Sequence, residues 1–227
     1  MTKTMKQNEI YISRFSDWAS VLENTEEWAL GRREMSCVPE SPEIKFTDSM
    51  FRRRLSQISK MTIQVVHDLL PVKEETKMLF LSFRGELSRQ FKVNKMQIED
   101  GSFLPAAFSF SVFNAPVALA SMALGLKGGY TALYPTNNSI KDGLIAAAAM
   151  LNTGSADELI LIYADEEIPE EYSCLVHEPL PPFAFSLLLS REQCSGSIYS
   201  DFINSIDKEE ICPKDFLRSL YLNKSNN

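Results

Sequence analysis

The segment YPTNNSIKDGLIAAAAMLNTG, residues 134–154, reads as the end of a strand, an irregular turn and a small-residue helix. Many α/β enzymes mount a nucleophile at such a corner, so the residue types in the turn decide what chemistry is open to it. The turn offers Asn137, Asn138, Ser139 and Ile140. Only Ser139 carries a hydroxyl, no histidine neighbours it to serve as base, and its expected role is to cap the helix that starts near Ile140. Cys174 with His177 would make a thiol–imidazole pair, but the Pro-rich loop around them lacks the helix terminus that activates a nucleophilic thiol. The carboxylates Asp165, Glu166, Glu167, Glu170 and Glu171 are of the type that holds a divalent cation, yet at the end of a strand such a run reads as a solvated loop.

Other chemistries fail on their signatures. No GxGxxG follows a strand, and neither GxxxxGK[ST] nor GxSxG occurs, which removes the common dinucleotide, nucleotide and serine-hydrolase readings. Gly125, Gly128 and Gly129 in GLKGG read as a turn between a helix and a strand rather than as a phosphate cradle. Cys37, Cys174, Cys194 and Cys212 are widely spaced with no C-x-x-C pair, so they read as reduced thiols rather than as a zinc site or a disulfide framework. No metal and no cofactor is expected.

The bulk properties agree with a folded protein that does not seek polyanions. Thirty acidic residues against 23 basic ones give a net charge of −7 over 227 residues, which argues against a broad basic surface for nucleic acid. The basic runs Arg32, Arg33 and Arg52, Arg53, Arg54 read as helix-surface or ion-paired residues. The longest apolar run, LIAAAAML, falls well short of the roughly 20 residues of a membrane span, and the first residues hold no signal-like apolar stretch, so the cytoplasm is the expected compartment.

The elements that would position these residues follow an α/β beat. Strands are expected at residues 10–15, 77–83, 130–135, 158–166 and 183–190, and continuous apolar runs joined by helical crossovers predict parallel pairing. Residues 16–31, with Trp18, Leu22 and Trp28, read as a short helix or ordered loop. From Asp48 the spacing of Met50, Leu55, Ile58, Met61, Val65 and Leu69 predicts one helix closed by Pro71. Residues 84–100 predict a polar helix turning Leu87, Phe91 and Met96 inward. The next stretch is a loop rich in phenylalanine (Phe103, Phe108, Phe110, Phe113), followed from Ala115 by a helix apolar on all sides and therefore expected to be buried all round. Residues 139–154 predict a further helix, and two weak helical segments around residues 199–206 and 213–222 complete the chain. One domain is expected over 1–227, with residues 191–227 as a less defined extension.

The run SFSVFNAPVALASMALGLKGGYTALYPTNNSIKDGLIAAAAMLNTGSADELILIYADE resembles the N-terminal half of β-ketoacyl synthases, and in particular the short synthase-like proteins of aryl polyene and type II polyketide systems. The matching pieces are LGLKG at 124–128, the strand at 131–135, Gly143 with Leu144, the GSAD turn at 154–157 and the strand at 159–163. The resemblance covers roughly residues 8–190 and implies a thiolase-like half-fold: an α/β, layered mixed sheet with a buried helix and covering helices. With Gly143 in the place of the family's glycine after the active cysteine, the cysteine position falls on Ile140, which cannot attack a thioester. The family carries its catalytic histidines in a second half, and this chain has about half the family's length.

What the resemblance implies is therefore a subunit without a catalytic residue. Such a subunit would act like a chain-length factor, pairing as a heterodimer with a full-length β-ketoacyl synthase through the strand before the turn, and meeting acyl carrier protein only indirectly. Phe108, Phe110, Phe113 and Met122 would shape the partner's acyl tunnel, and Tyr134, Thr136, Asn137, Asn138 and Ile140 would belong to the interface. A lone half would also leave one apolar sheet face uncovered. The competing readings are a stand-alone acyl-transferring or hydrolytic enzyme using Cys174 or Ser139, and a pure assembly scaffold.

Overall fold

The computed structural model describes residues 10–20, 24–32, 40–102, 104–137, 139–175, 180–192, 198–199 and 210–224. Six strands form one sheet: β1 (Tyr11–Ala19), β2 (Lys77–Leu81), β3 (Tyr130–Leu133), β4 (Glu158–Asp165), β5 (Phe183–Ser190) and β6 (Ile198–Tyr199). Their order across the sheet is β3-β2-β4-β5-β1-β6. The helices are α1 (Thr25–Ala29), α2 (Ser49–Arg52), α3 (Gln57–His67), α4 (Leu87–Asp100), α5 (Pro105–Ser109), α6 (Ala115–Leu124), α7 (Lys141–Asn152) and α8 (Pro213–Lys224).

Parallel pairing holds for β3, β2 and β4, which are joined by helical crossovers. It fails for β5, which runs antiparallel to both β4 and β1. The apolar runs that suggested parallel strands have a different cause here: both faces of the sheet are covered, so antiparallel strands are apolar throughout as well. Successive residues still part to opposite sides. Leu159, Leu161 and Tyr163 of β4 enter one core while Ile160, Ile162 and Ala164 enter the other, and β2 divides Leu79 and Leu81 from Met78 and Phe80 in the same way.

On one face α3 and α6 pack against each other, and α3 lies across β4, β5 and β1. On the other face α7 lies over β2 and β4, and α8, which packs with α1, shares the same core. Phe216 of α8 meets Phe185 at 5.9 Å between ring centres, Tyr221 meets Phe15 at 5.4 Å, and Trp28 of α1 meets Phe183 at 5.1 Å. The sheet face expected to lie bare is therefore closed by the chain's own residues from the stretch after 191. The helix expected around 199–206 lies outside the described residues, apart from Tyr199 in β6.

Five local readings are corrected. β1 extends through Trp18, because pairing with β5 continues to Ala19; Leu22 lies outside the described residues. The helix expected from Asp48 breaks into α2 and α3: Asp48 caps the first through the N–H groups of Met50 and Phe51, and Ser56 caps the second through Ser59. Leu55 is buried at the break, whereas Met50 is exposed. In α4 the fully covered residue is Val93, with Leu87, Phe91 and Met96 half-buried, and the expected phenylalanine loop contains α5. Finally, α6 is not enclosed all round: Ala115, Val117, Leu119 and Ala120 are buried, but Met122 is 74 % exposed.

The GLKGG turn that delivers the chain into β3 needs its glycines for two distinct reasons. Gly125 and Gly129 adopt left-handed φ values of 67° and 80°, where a side chain is strained. Gly128 has no such φ; instead its turn rests on the backbone of Glu75 and Thr76, where a Cβ would overlap main-chain atoms.

Candidate functional site

The corner between β3 and α7 is built around one carboxylate and one buried hydroxyl. The backbone N–H and Oγ1 of Thr136 both donate to Asp142 Oδ2 at 2.7 Å, folding the turn back onto the first turn of α7. Those bonds hold the Asp142 carboxyl below its ordinary value, and its charge faces the positive end of the helix. Asn137 takes a left-handed φ of 53°, which asparagine tolerates. Ser139 Oγ accepts from Lys141 N at 3.2 Å and from Ile211 N at 2.9 Å, and Ile140 N donates to the carbonyl of Ile211 at 3.0 Å. Ile140 is fully buried among residues of β2, β4 and α7. Three residues on, Gly143 lets α7 approach β2 so closely that an added Cβ would overlap the Leu81 side chain.

The corner is thus sealed from inside. Residues 210–212 lie across the turn, Ser139 is buried with its hydroxyl already hydrogen-bonded, and Ile140 faces the chain's own core. Ile140 is not presented to a partner, which corrects its place among the interface residues. Ser139 is one residue earlier than the structural N-cap, Ile140, but it does satisfy one of the first free N–H groups of α7. Ser139→Ala is expected to cost about 1–2 kcal/mol of stability in urea unfolding, because it leaves the buried Ile211 N–H without its acceptor.

The aromatic residues divide between core and surface. Phe113 wedges against Gly85 and lies 6.1 Å from the ring of Phe80 and 6.3 Å from that of Tyr134. Phe110 joins the core between α3 and α6, with the Arg89 guanidinium over its ring at 5.7 Å. Phe108, Met122, Tyr134, Thr136 and Asn137 are exposed, as are Val112, Tyr130 and Thr131. The exposed members sit on α5, α6 and β3 and on the segments joining them, on the side of the sheet where β3 ends it. β3 pairs with β2 alone among the described strands, so its outer backbone groups form an open edge. Phe103 and Asn138 lie outside the described residues.

Cys174 is exposed on a 3₁₀ turn at Glu170–Leu175, and His177 lies outside the described residues, as do Cys37 and Cys194. The acidic cluster divides. Glu167, Glu170 and Glu171 are at or near the surface as a solvated loop would be, but Asp165 and Glu166 are each only 4 % exposed. Asp165 accepts from the Ser82 hydroxyl at 2.6 Å, the Tyr163 hydroxyl at 2.7 Å and the backbone N–H groups of Phe83 and Arg84 at 3.1 and 3.0 Å. Burial raises its pKa against those bonds, and burial with the nearby Asp165 charge pushes the Tyr163 hydroxyl well up. Among the described residues no group of three His, Cys, Asp or Glu could hold a metal ion, and no described helix is long and apolar enough to cross a membrane.

Residues 25–214 match the family described as β-ketoacyl synthase, N-terminal domain. A ketosynthase in complex with its chain length factor from Xenorhabdus doucetiae (ApeO and ApeC) aligns with a TM-score of 0.68 and 22 % identity over 81 % of this chain and 79 % of that one. The ishigamide ketosynthase/chain length factor aligns at 0.63 and 14 % identity over 82 % of this chain and 63 % of its own. The ketosynthase from module 1 of the bacillaene synthase of Bacillus amyloliquefaciens aligns at 0.58 and 14 % identity, over 89 % of this chain but 44 % of that one. The chain therefore spans less than two thirds of the last two. No curated protein matches it. At these identities the likeness concerns architecture, and the architecture is the thiolase-like half-fold.

Proposed function

We propose, from the premise that this chain belongs to the β-ketoacyl synthase N-terminal-domain family, that it is a non-condensing subunit that pairs with a full-length β-ketoacyl synthase and helps shape its acyl tunnel. The observation that carries the reading is the sealed corner: Ile140, the residue that the resemblance assigns to the family's cysteine position, is apolar, buried and tied to Ile211. A side chain so placed neither attacks a thioester nor meets one. The corner retains what an interface needs, namely a short strand with an open edge and exposed Tyr130, Thr131 and Tyr134 along it. An edge of this kind pairs readily with a strand of another chain, and an obligate interface buries roughly 2,000 Å² or more.

Two further points support the reading. The near-equal shares of the two chains aligned with the Xenorhabdus doucetiae complex mean that the neighbour has almost this chain's length, and that complex unites a ketosynthase with a chain length factor. The acyl groups would enter through the catalytic partner, with acyl carrier protein meeting that partner rather than this subunit. Phe108 and Met122 point outward and would limit the chain length in the tunnel, with Phe110 and Phe113 held behind them. In the cell the pair would work in the cytoplasm, in aryl polyene or related type II polyketide or fatty acid synthesis.

The test is coexpression with a full-length synthase, size-exclusion of the pair and extension of a carrier-bound malonyl unit. A stable heterodimer is expected, weakened roughly tenfold or more by Thr131→Lys combined with Tyr134→Ala, which charge the edge and remove an aromatic anchor. In the intact pair, Phe108→Ala and Met122→Ala should shift the product-length distribution towards longer chains; both side chains are exposed in the lone subunit, so their loss leaves its own core untouched. Condensation by the isolated chain would overturn the proposal, and unchanged product lengths at intact pairing would leave only the scaffold reading.

A further inference from the structure

Away from the β3 corner, a cavity of about 800 Å³ lies between α4, the link before α3 and the segment 166–171. Its walls are mainly apolar, with Leu55, Phe91, Val93, Met96 and Ile168 among them, and its size falls in the range of small-molecule sites, roughly 300–1,000 Å³. Glu166 borders it, 4 % exposed. Its Oε2 accepts from the Ile58 N–H in the first turn of α3 at 3.2 Å, while its Oε1 has no hydrogen-bond partner.

Glu86, whose charge acts on Glu166, is 2 % exposed. The hydroxyls of Ser56 and Ser59 both donate to its Oε1 at 2.6 Å, and Arg89 Nε lies 3.2 Å from its Oε2. The remaining charges around the cavity are otherwise engaged or more distant from this pair. Arg89 also donates to the Arg54 carbonyl, Arg84 donates to the backbone carbonyl of Glu166 rather than to its carboxylate, and Lys95 lies 3.8 Å from Glu171. Lys92 and Glu167 line the cavity too and are exposed. Of these two buried carboxylates, Glu86 pairs with the part-buried Arg89 and Glu166 has no cation among the described ion pairs, so the pair is one positive charge short. A proton makes up the difference: burial first, and the Glu86 charge second, push the Glu166 carboxyl up to about 7 against the Ile58 hydrogen bond.

We propose that this cavity binds a primary amine with an apolar tail, whose ammonium donates to Glu166 Oε1 and supplies the positive charge that the Glu86–Glu166–Arg89 cluster lacks. The tail lies against Phe91, Met96 and Ile168. The amine arrives as its ammonium, and a protonated Glu166 releases its proton to solvent as the ion pair forms, so one proton leaves for each ligand bound by that form. This site is independent of the pairing surface on β3, and the proposal stands whether or not a synthase partner exists.

Octylamine is the probe, with octanol and octanoate as neutral and anionic analogues, titrated calorimetrically into the full chain at pH about 6 and about 8. Octylamine is expected to bind roughly tenfold more tightly at the higher pH, following the ionised fraction of a group that titrates near 7, and to release protons at the lower pH. Glu166→Gln should remove this binding, and Met96→Trp, which fills the cavity without touching the charges, should weaken it at least tenfold. Should Glu166→Gln fail to fold, the pH dependence and Met96→Trp decide. Equal binding of octanol, tighter binding of octanoate that is lost on Lys92→Ala, retained affinity in Glu166→Gln, or no binding by any of the three would each overturn the proposal.

Discussion

Leu217→Asp is expected to leave the chain largely unfolded at room temperature. Leu217 is fully buried on the inner side of α8, in one core with Phe185, Phe216 and Leu220. Losing a buried leucine costs about 2–5 kcal/mol. A carboxylate in its place adds several kcal/mol, either as an unpaired charge or as a strongly raised pKa. Against a total stability of about 5–15 kcal/mol the sum is close to complete loss. Leu217→Ala, which removes only the packing, should remain folded and melt at a lower temperature, with about 2–5 kcal/mol less stability. Circular dichroism during heating and urea titration measures both. Were Leu217→Asp to melt within a few degrees of the parent, α8 would not be part of the core, and the sheet face it covers would be open for a partner.

Glu166→Gln is expected to stabilise the protein at alkaline pH and to do so far less in mild acid. In the unfolded chain the carboxyl titrates near 4.5; in the fold it titrates near 7. Between those values the folded protein keeps a proton that the unfolded chain releases, so folding is favoured below about 4.5 and loses ground until pH passes 7. The difference of about 2.5 units corresponds to roughly 3 kcal/mol, lost in full above the folded value. Glutamine carries no charge and accepts from the Ile58 N–H as the acid does, so the variant should gain about 2–3 kcal/mol over the parent at pH about 8.5 and less than about 1 kcal/mol at pH about 5. Burial raises Glu86, Asp165 and Asp17 as well, so the parent's own stability should decline towards alkaline pH. Urea midpoints at both pH values measure the effect, and an equal shift at both would show that Glu166 is ionised throughout.

The reach of local reading is visible in particular residues. The strand runs KMLFL, ELILIYAD and FAFSLLLS were legible because each is a continuous apolar segment of strand length bounded by turn residues. Ser56 hides inside a helical spacing, yet it caps α3 and breaks the expected helix, because a serine hydroxyl competes with the helix for the backbone. The sequence predicts a buried Met122 because α6 is apolar on every side; nothing in the residue types tells a helix enclosed by its own chain from one with a face left open. By residue type Glu166 resembles its exposed neighbour Glu167, although the Ile58 N–H at the N-terminus of α3 meets Glu166, which is buried.

The order of residues by itself determined most of the elements and the residue types at the corner between β3 and α7, since periodicity, capping and side-chain chemistry are local properties. It also carried the family resemblance, through the spacing of the LGLKG, glycine–leucine and GSAD pieces. Only the tertiary structure decided that β5 opposes its neighbours, that α8 closes the sheet face, that Ile211 seals the corner from 72 residues beyond Ser139 and that Ile58 meets Glu166 across 108 residues. The physical reason is common to all four. Burial, and the hydrogen bonds and pKa values that follow from it, depend on which distant segments exclude water together, and that is a property of the packed chain rather than of any window along it.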